Sequence, residues 1–225
     1  TDTKLYIGGE LVTKIEQSDN ITNVNQFALT GYKYLTSVYL CAPNAEETNP
    51  FIGMCTFNAC ENLSTVTLVG NGENTIRPRA FYNCNITTLV IDNYESIEKW
   101  AFSCENIETV TLNVKYLATE AFIYVTNIET LTIGELFKNT SISRNSEGRI
   151  FTYVKTLYLN CPEFITNYAT EETHKVNFNN FIVGRFSSNN NDKTSIYIKN
   201  CENTEAFATK ANLTLSETGT EYSLY

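Results

Sequence analysis

A right-handed superhelix of short parallel β-strands, a solenoid with irregular or short helical return segments and an N-terminal β-hairpin cap, is the fold that this sequence predicts. Two observations predict it: a six-residue phrase recurs seven times along the chain, and a second phrase centred on Ala-Phe precedes most of its copies. The 225 residues are 42% hydrophobic and 12% aromatic. That composition supports a continuous core and excludes wholesale disorder.

The six-residue phrase has the strand pattern Leu-x-x-Val-x-Leu, best seen at 63–68, 107–112 and 128–133. Its last three residues alternate between apolar and polar, which is the period of a half-buried strand. Successive copies of the phrase are as little as 21 residues apart. Strands that recur at this spacing and run in the same direction must lie parallel to their neighbours. The central apolar residues are therefore predicted to face the core: Val38, Val66, Leu89, Val110, Leu131, Leu157 and Ile196.

The second phrase, as in Ala80-Phe81 and Ala101-Phe102, predicts the return path through the core. Alanine allows the backbones of successive coils to approach closely, and the phenylalanine ring fills the space between them. A single coil could not bury this ring alone, so burial requires stacked neighbours. We expect a stack of Phe57, Phe81, Phe102 and Phe122. An apolar residue precedes five copies by four positions, at Val24, Ile52, Ile76, Ile97 and Leu117.

Together the two phrases read I-x-x-x-A-F-x-x-C-x-x-L-x-x-V-x-L, and this pattern resembles the BspA-like leucine-rich repeat. Residues 52–68 are a near-complete copy with Thr56 in place of alanine, and residues 5–12 resemble the hairpin that often begins such arrays. The resemblance implies a non-enzymatic protein-interaction or adhesion module of a host-associated microbe. It also implies an extracellular or cell-surface location and an extracellular protein partner from a host or a neighbouring cell.

No linker divides the chain, so we expect one domain over residues 1–225. Residues 1–20 are assigned to the hairpin cap, 21–198 to the repeats and 199–225 to an incomplete last coil. Insertions are predicted at 41–50, 134–149 and 160–192, the last with a polar surface loop at 187–191. We expect the domain to be a monomer.

Charge and motifs exclude several classes of function. The net charge is −9, from 16 Lys+Arg and 25 Asp+Glu, which argues against a nucleic-acid partner. No apolar run is long enough for membrane insertion, and residues 1–4 contain no apolar signal core. The one histidine, His174, lies in a polar stretch, and Glu108 and Glu129 are best explained by a solvated sheet edge. We predict no enzyme activity, no catalytic residue, no cofactor and no metal site.

The seven cysteines include no C-x-x-C pair, which favours neither a zinc site nor a disulfide framework. Cys60, Cys84 and Cys104 occupy the same small apolar slot of the repeat and are predicted to be buried thiols. Cys41 and Cys161 follow their strands directly and are expected to be exposed. No disulfide is predicted.

The outward side of the strands is the candidate binding surface. Its residues form two columns, and the positions proposed to contact a ligand are Ser37, Tyr39, Thr65, Thr67, Thr88, Thr109, Thr111, Thr130, Thr132, Thr156, Tyr158, Ser195 and Tyr197. Threonine also suits exposed strands for structural reasons alone. If the face binds a ligand, a protein is the first candidate. A glycan that stacks on Tyr39, Tyr158 and Tyr197 is the alternative.

Overall fold

A computed structural model describes residues 3–16, 23–42, 51–138, 150–151, 154–170, 194–199, 201–215 and 221–224. In chain order its elements are β1 (Tyr6–Ile7), β2 (Glu10–Leu11), β3 (Lys14–Glu16), β4 (Ser37–Cys41), β5 (Thr65–Val69), β6 (Thr75–Ile76), β7 (Phe81–Tyr82), β8 (Thr88–Ile97), β9 (Phe102–Ser103), β10 (Asn106–Leu117), β11 (Asn127–Ile133), β12 (Val154–Leu159), α1 (Pro162–Thr170), β13 (Ser195–Ile198), α2 (Thr204–Lys210), β14 (Leu213–Leu215) and β15 (Glu221–Leu224).

The main sheet consists of parallel strands stacked in the order β3, β4, β5, β8, β10, β11, β12 and β13. The predicted solenoid is confirmed, and so is the alignment of its strands. One continuous row pairs Val38, Val66, Leu89, Val110, Leu131, Leu157 and Ile196. All seven of these side chains are buried, because each coil closes over the next.

A second parallel ladder runs along the side of the coils. It joins Val24, Ile52, Ile76, Ile97 and Leu117, the apolar positions that precede the Ala-Phe phrase. In the middle of the array this ladder is continuous with the main sheet, so β8 has 10 residues and β10 has 12. The sequence pattern predicted strands of about six residues at these places. The longer strands bend at Asn93, whose φ is 57°, and at a register shift between Asn113 and Val114.

The phenylalanine stack forms the centre of the core. Successive ring centroids of Phe57, Phe81, Phe102 and Phe122 are 4.9, 5.0 and 5.3 Å apart, and the ring planes are within 13° of parallel. Phe151 continues the stack at 5.0 Å, and all five rings are fully buried. Because the neighbouring alanines are small, the backbones of successive coils lie within hydrogen-bond distance. The Phe81 N–H, for example, donates to the Ala101 carbonyl at 2.8 Å.

Among the described residues between 23 and 125, the return segments consist of tight turns and the short strands β7 and β9, and they contain no helix. The residues before Ala28, Thr56, Ala80, Ala101 and Ala121 have a left-handed φ between 56° and 64°, and they form what we call the left-handed column: Phe27, Cys55, Arg79, Trp100 and Glu120. Two residues beyond the ring position, Ala59, Asn83 and Tyr124 are left-handed as well. Turn hydrogen bonds accompany this geometry, for example from the Tyr82 N–H to the Arg79 carbonyl at 3.3 Å. Each coil thereby crosses the core in very few residues.

The N-terminal hairpin is present as predicted, since β1 and β2 are antiparallel around Gly8 and Gly9. The Tyr32 hydroxyl donates to the Val12 carbonyl at 2.6 Å and ties the hairpin to the first coil. The assignment of residues 1–20 to the cap alone was too broad. Strand β3 within that range pairs in parallel with β4 and is the first strand of the main sheet.

The C-terminal part departs from the repeat. Helix α1 lies within the predicted 160–192 insertion, and its Tyr168 packs on Phe207 of α2 with ring centroids 5.1 Å apart. Instead of ending as a simple incomplete coil, the tail places β15 antiparallel between β13 and β14. The predicted polar loop at 187–191 and His174 lie outside the described residues.

We predict that Phe102→Ala lowers the free energy of unfolding by about 3–5 kcal/mol, because it removes a ring that contacts two others in a core that cannot collapse around the gap. Urea denaturation measures the loss. Glu61→Gln, at an exposed position, is the control and should change stability by less than about 0.5 kcal/mol. Equal losses in the two variants would contradict the stack as the main source of stability.

A glycine substitution should have opposite effects at two alanines of the return path. Ala59 has a φ of 57°, so Ala59→Gly relieves an unfavourable conformation and should stabilise the protein by up to about 1 kcal/mol. Ala101 is fully buried with a negative φ, so Ala101→Gly should cost about 1 kcal/mol. Thermal unfolding compares the two variants. A loss at Ala59 as large as that at Ala101 would refute the conformational explanation.

Candidate binding face

The outward columns lie side by side on the main sheet. The first, here called the hydroxyl column, contains Ser37, Thr65, Thr88, Thr109, Thr130, Thr156 and Ser195. The second, here called the tyrosine column, contains Tyr39, Thr67, Val90, Thr111, Thr132, Tyr158 and Tyr197. Every member is at least partly exposed, and none is charged. The structure therefore brings the proposed residues together in register, while their role in binding stays a prediction.

The serine and threonine hydroxyls of these two columns differ in their hydrogen bonding from the hydroxyls of the residues just before the strands. In the row just before the strands, the Thr36 hydroxyl donates to the Thr13 carbonyl at 2.9 Å, and Ser64 and Thr87 bond to carbonyls of the preceding coil in the same way. Within the described part of the chain, no hydroxyl of the Ser and Thr members of the two columns has a hydrogen-bond partner in the protein. These groups are thus available to donate to and accept from a ligand. The sequence phrase alone did not distinguish the two kinds of hydroxyl.

Tyrosines occupy both ends of the tyrosine column. At one end the rings of Tyr158 and Tyr197 are stacked, with centroids 5.0 Å apart and planes 19° from parallel. Tyr39 lies at the other end with 45% of its surface exposed, and its phenol oxygen accepts a hydrogen bond from the Cys41 thiol at 3.1 Å. The hydrogen-bonded contact with Cys41 places a second acidic group beside the phenol, which disfavours the phenolate, raises the pKa of Tyr39 above its ordinary value and keeps the phenol neutral.

The chemistry of this surface is that of neutral polar and aromatic side chains. Among the described residues there is no cluster of three or more metal-ligating side chains. The two carboxylates that share a slot do not form a pair with each other: Glu108 is exposed, and Glu129 accepts a hydrogen bond from Lys155 at 2.8 Å. Neutral hydroxyls and aromatic rings can bind a ligand by hydrogen bonding and packing.

The cysteines of the repeat line the inside of the return path. Cys60, Cys84 and Cys104 are buried, as predicted, and the first two thiols donate to the Leu29 and Phe57 carbonyls at 3.2 and 3.1 Å. Burial raises the pKa of Cys60 to about 11 and that of Cys104 to about 12. They remain neutral thiols near pH 7 and act as small apolar groups.

The prediction that Cys161 is exposed was wrong. Cys161 is fully buried, because the chain turns directly into α1 at this point and the Cys161 carbonyl accepts the Ile165 N–H at 3.1 Å. Burial also raises the pKa of its thiol above the ordinary range. Cys41, by contrast, is half-buried on the outward side of β4, and Cys201 is half-buried near the start of α2.

Stacked parallel strands with compact return turns define a leucine-rich repeat solenoid. The family model described as BspA type leucine rich repeat region matches residues 42–157 in six copies, and the chain belongs to this family. No curated protein and no solved structure matches the chain. Domains of this family typically act as non-enzymatic modules for protein binding or adhesion, and the proteins are commonly secreted or displayed on the surface. In the part of the chain that the structure describes, no helix is both long and apolar enough to cross a membrane.

We predict that native thiols react in two classes with an aromatic disulfide reagent at mildly alkaline pH. Cys41 and Cys201 should react first because they are partly exposed, whereas the five buried thiols should react only after unfolding: Cys55, Cys60, Cys84, Cys104 and Cys161. The time course of thiolate release measures both classes. The double variant Cys41→Ser/Cys201→Ser should lose the fast phase. Its persistence in that variant would show that the buried thiols are accessible.

Proposed function

We propose that this protein is a non-enzymatic adhesion module, secreted or displayed by a host-associated microbe, that captures an extracellular protein of a host or a neighbouring cell on its sheet face. One observation carries the proposal: a row of hydroxyls that have no hydrogen-bond partner among the described residues lies beside a stacked, partly exposed tyrosine pair. Membership of the BspA-type family supports the proposed location and the absence of catalysis.

The size and chemistry of the face suit a protein partner. Seven rungs at about 4.8 Å extend about 30 Å, which is close to the diameter of a standard interface patch of about 800 Å² per partner. The members of the two columns are uncharged, so none of their own side chains buries a charge on docking. Tyrosine supplies a large contact area with little loss of conformational entropy, and its hydroxyl keeps a polar contact.

A glycan ligand is the second candidate, because tyrosine rings and threonine hydroxyls are also the groups that bind sugars. The stacking of Tyr158 on Tyr197 favours the protein ligand. Each ring already uses one face against the other, so the pair offers fewer open ring faces than two separate tyrosines. The rim and hydroxyls of the pair remain suited to a protein surface.

We further propose that the chain acts as a single domain and as a monomer. One hydrophobic core runs without interruption from Tyr32 in the first coil to Leu213 beyond α2, which supports a single domain. Light scattering during gel filtration tests the monomer.

The double variant Tyr158→Ala/Tyr197→Ala should bind at least tenfold more weakly than the wild type to the matrix protein that the wild type recognises, as expected when two large aromatic contacts are removed from an interface. Surface plasmon resonance against a panel of immobilised extracellular-matrix proteins, together with a glycan array, provides the measurement. Tyr124→Ala is the matched control, since Tyr124 is 62% exposed in a return turn.

Two results would count against the proposal. Binding that ignores the Tyr158 and Tyr197 substitutions would place the contact elsewhere on the solenoid. Binding to glycans with none to the protein panel would favour the second candidate.

A further inference from the structure

A cation and aromatic cluster lies on the return side of the solenoid, in the left-handed column. The Arg79 guanidinium carbon is 4.7 Å from the Trp100 ring centroid and 6.0 Å from the Tyr82 ring centroid. Trp100 is the only tryptophan of the chain, and its indole N–H donates to a Glu120 carboxylate oxygen at 2.8 Å. Glu120 therefore holds the ring by its N–H, and two cations lie over the ring: Arg79 and the Lys99 ammonium group, which is 4.8 Å from the ring centroid.

The neighbouring charges are already paired, and Arg79 is not. Arg77 bonds to Glu98 at 2.9 Å, and the Lys99 ammonium group bonds to Glu120 at 2.8 Å. Arg79 is exposed, and across the residues that the structure describes its guanidinium makes no hydrogen bond or ion pair. Its N–H donors are therefore directed to solvent while its plane is held by aromatic rings.

Such an arrangement prepares a guanidinium for a ligand. An arginine on a bare surface must give up side-chain freedom when it binds, but this one is already restrained by two rings. Arginine, tryptophan and tyrosine are also the residues that most often dominate the energy of protein interfaces. The five donors of a guanidinium match a carboxylate, which can accept two of them at once.

We propose that Arg79, Trp100 and Tyr82 form a second binding site that takes a single aspartate or glutamate carboxylate of a partner protein, with an apolar residue of the partner against the rings. The site lies apart from the sheet face and is independent of the function proposed for that face. A polyanion such as a sulfated glycan fits less well, because the nearby cations Arg77 and Lys99 are already paired with Glu98 and Glu120, and the whole chain carries a net charge of −9.

The fluorescence of Trp100 can be used to measure binding at the site, because Trp100 is the one tryptophan of the chain and can be excited selectively. The probe is a short synthetic peptide with one glutamate between two leucines, titrated against the wild-type chain at low salt. We expect a saturable change in tryptophan emission, and a dissociation constant that rises about tenfold in Arg79→Gln and less in Arg79→Lys. Lys14→Gln is the matched control, since it removes the same charge from an exposed position on β3. It should leave the dissociation constant within about twofold.

Three results would overturn the proposal: an equal response to the same peptide with glutamine for glutamate, an unchanged affinity in Arg79→Gln, or a response to a heparin fragment with none to the peptide. The last result would assign the cluster to a polyanionic glycan. Circular dichroism of each variant verifies that the fold is retained. Tyr158→Ala/Tyr197→Ala should leave the peptide titration unchanged, which separates this site from the sheet face.

Discussion

Stacking of one buried aromatic ring per coil is the interaction on which the rest of the structure depends. A coil of this length cannot enclose a core by itself, so its apolar side chains are buried only against those of its neighbours. The spacing of the rings, 4.9 to 5.3 Å from Phe57 to Phe122, is close to the separation of hydrogen-bonded strands. Rings and strands can therefore keep the same alignment over many coils. That alignment is also what places the outward hydroxyls in one row.

The sequence was most informative where the chain repeats. A one-residue slip would turn the core face of a strand outward, so the apolar pattern around Val66 or Val110 was enough to predict how the seven copies of the six-residue phrase pair, from β4 to β13. Prediction from the sequence pattern failed where the repeat ends. Helix α1 carries its own signal, a proline at its first residue and buried Phe164, Ile165 and Tyr168 at helical spacing, but it lies in a segment that was classified as an insertion. The antiparallel pairing of β15 depends on tertiary contacts that no local pattern records.

Both candidate sites rest on details of the backbone that the residue types do not reveal. Thr87 and Thr88 are adjacent in sequence, yet the first hydroxyl bonds to a neighbouring coil and the second does not. Left-handed φ angles at Arg79 and Trp100 are equally hidden, because neither residue is glycine or asparagine. The recurrence of such angles in the same slot of successive coils shows that they belong to the fold. The arginine and tryptophan then meet because they occupy equivalent positions one coil apart.

The two surfaces differ in the force that would hold a partner. The sheet face is uncharged along its two columns, so contacts there depend on packing and neutral hydrogen bonds, which salt affects little. The Arg79 site offers one exposed guanidinium on a chain with a net charge of −9, so attraction of a carboxylate is local and is screened as the ionic strength rises. A partner that uses the sheet face alone should therefore bind almost equally at low and high salt. A partner that also reaches the return side should lose affinity with salt, and that loss should disappear when Arg79 is replaced by glutamine.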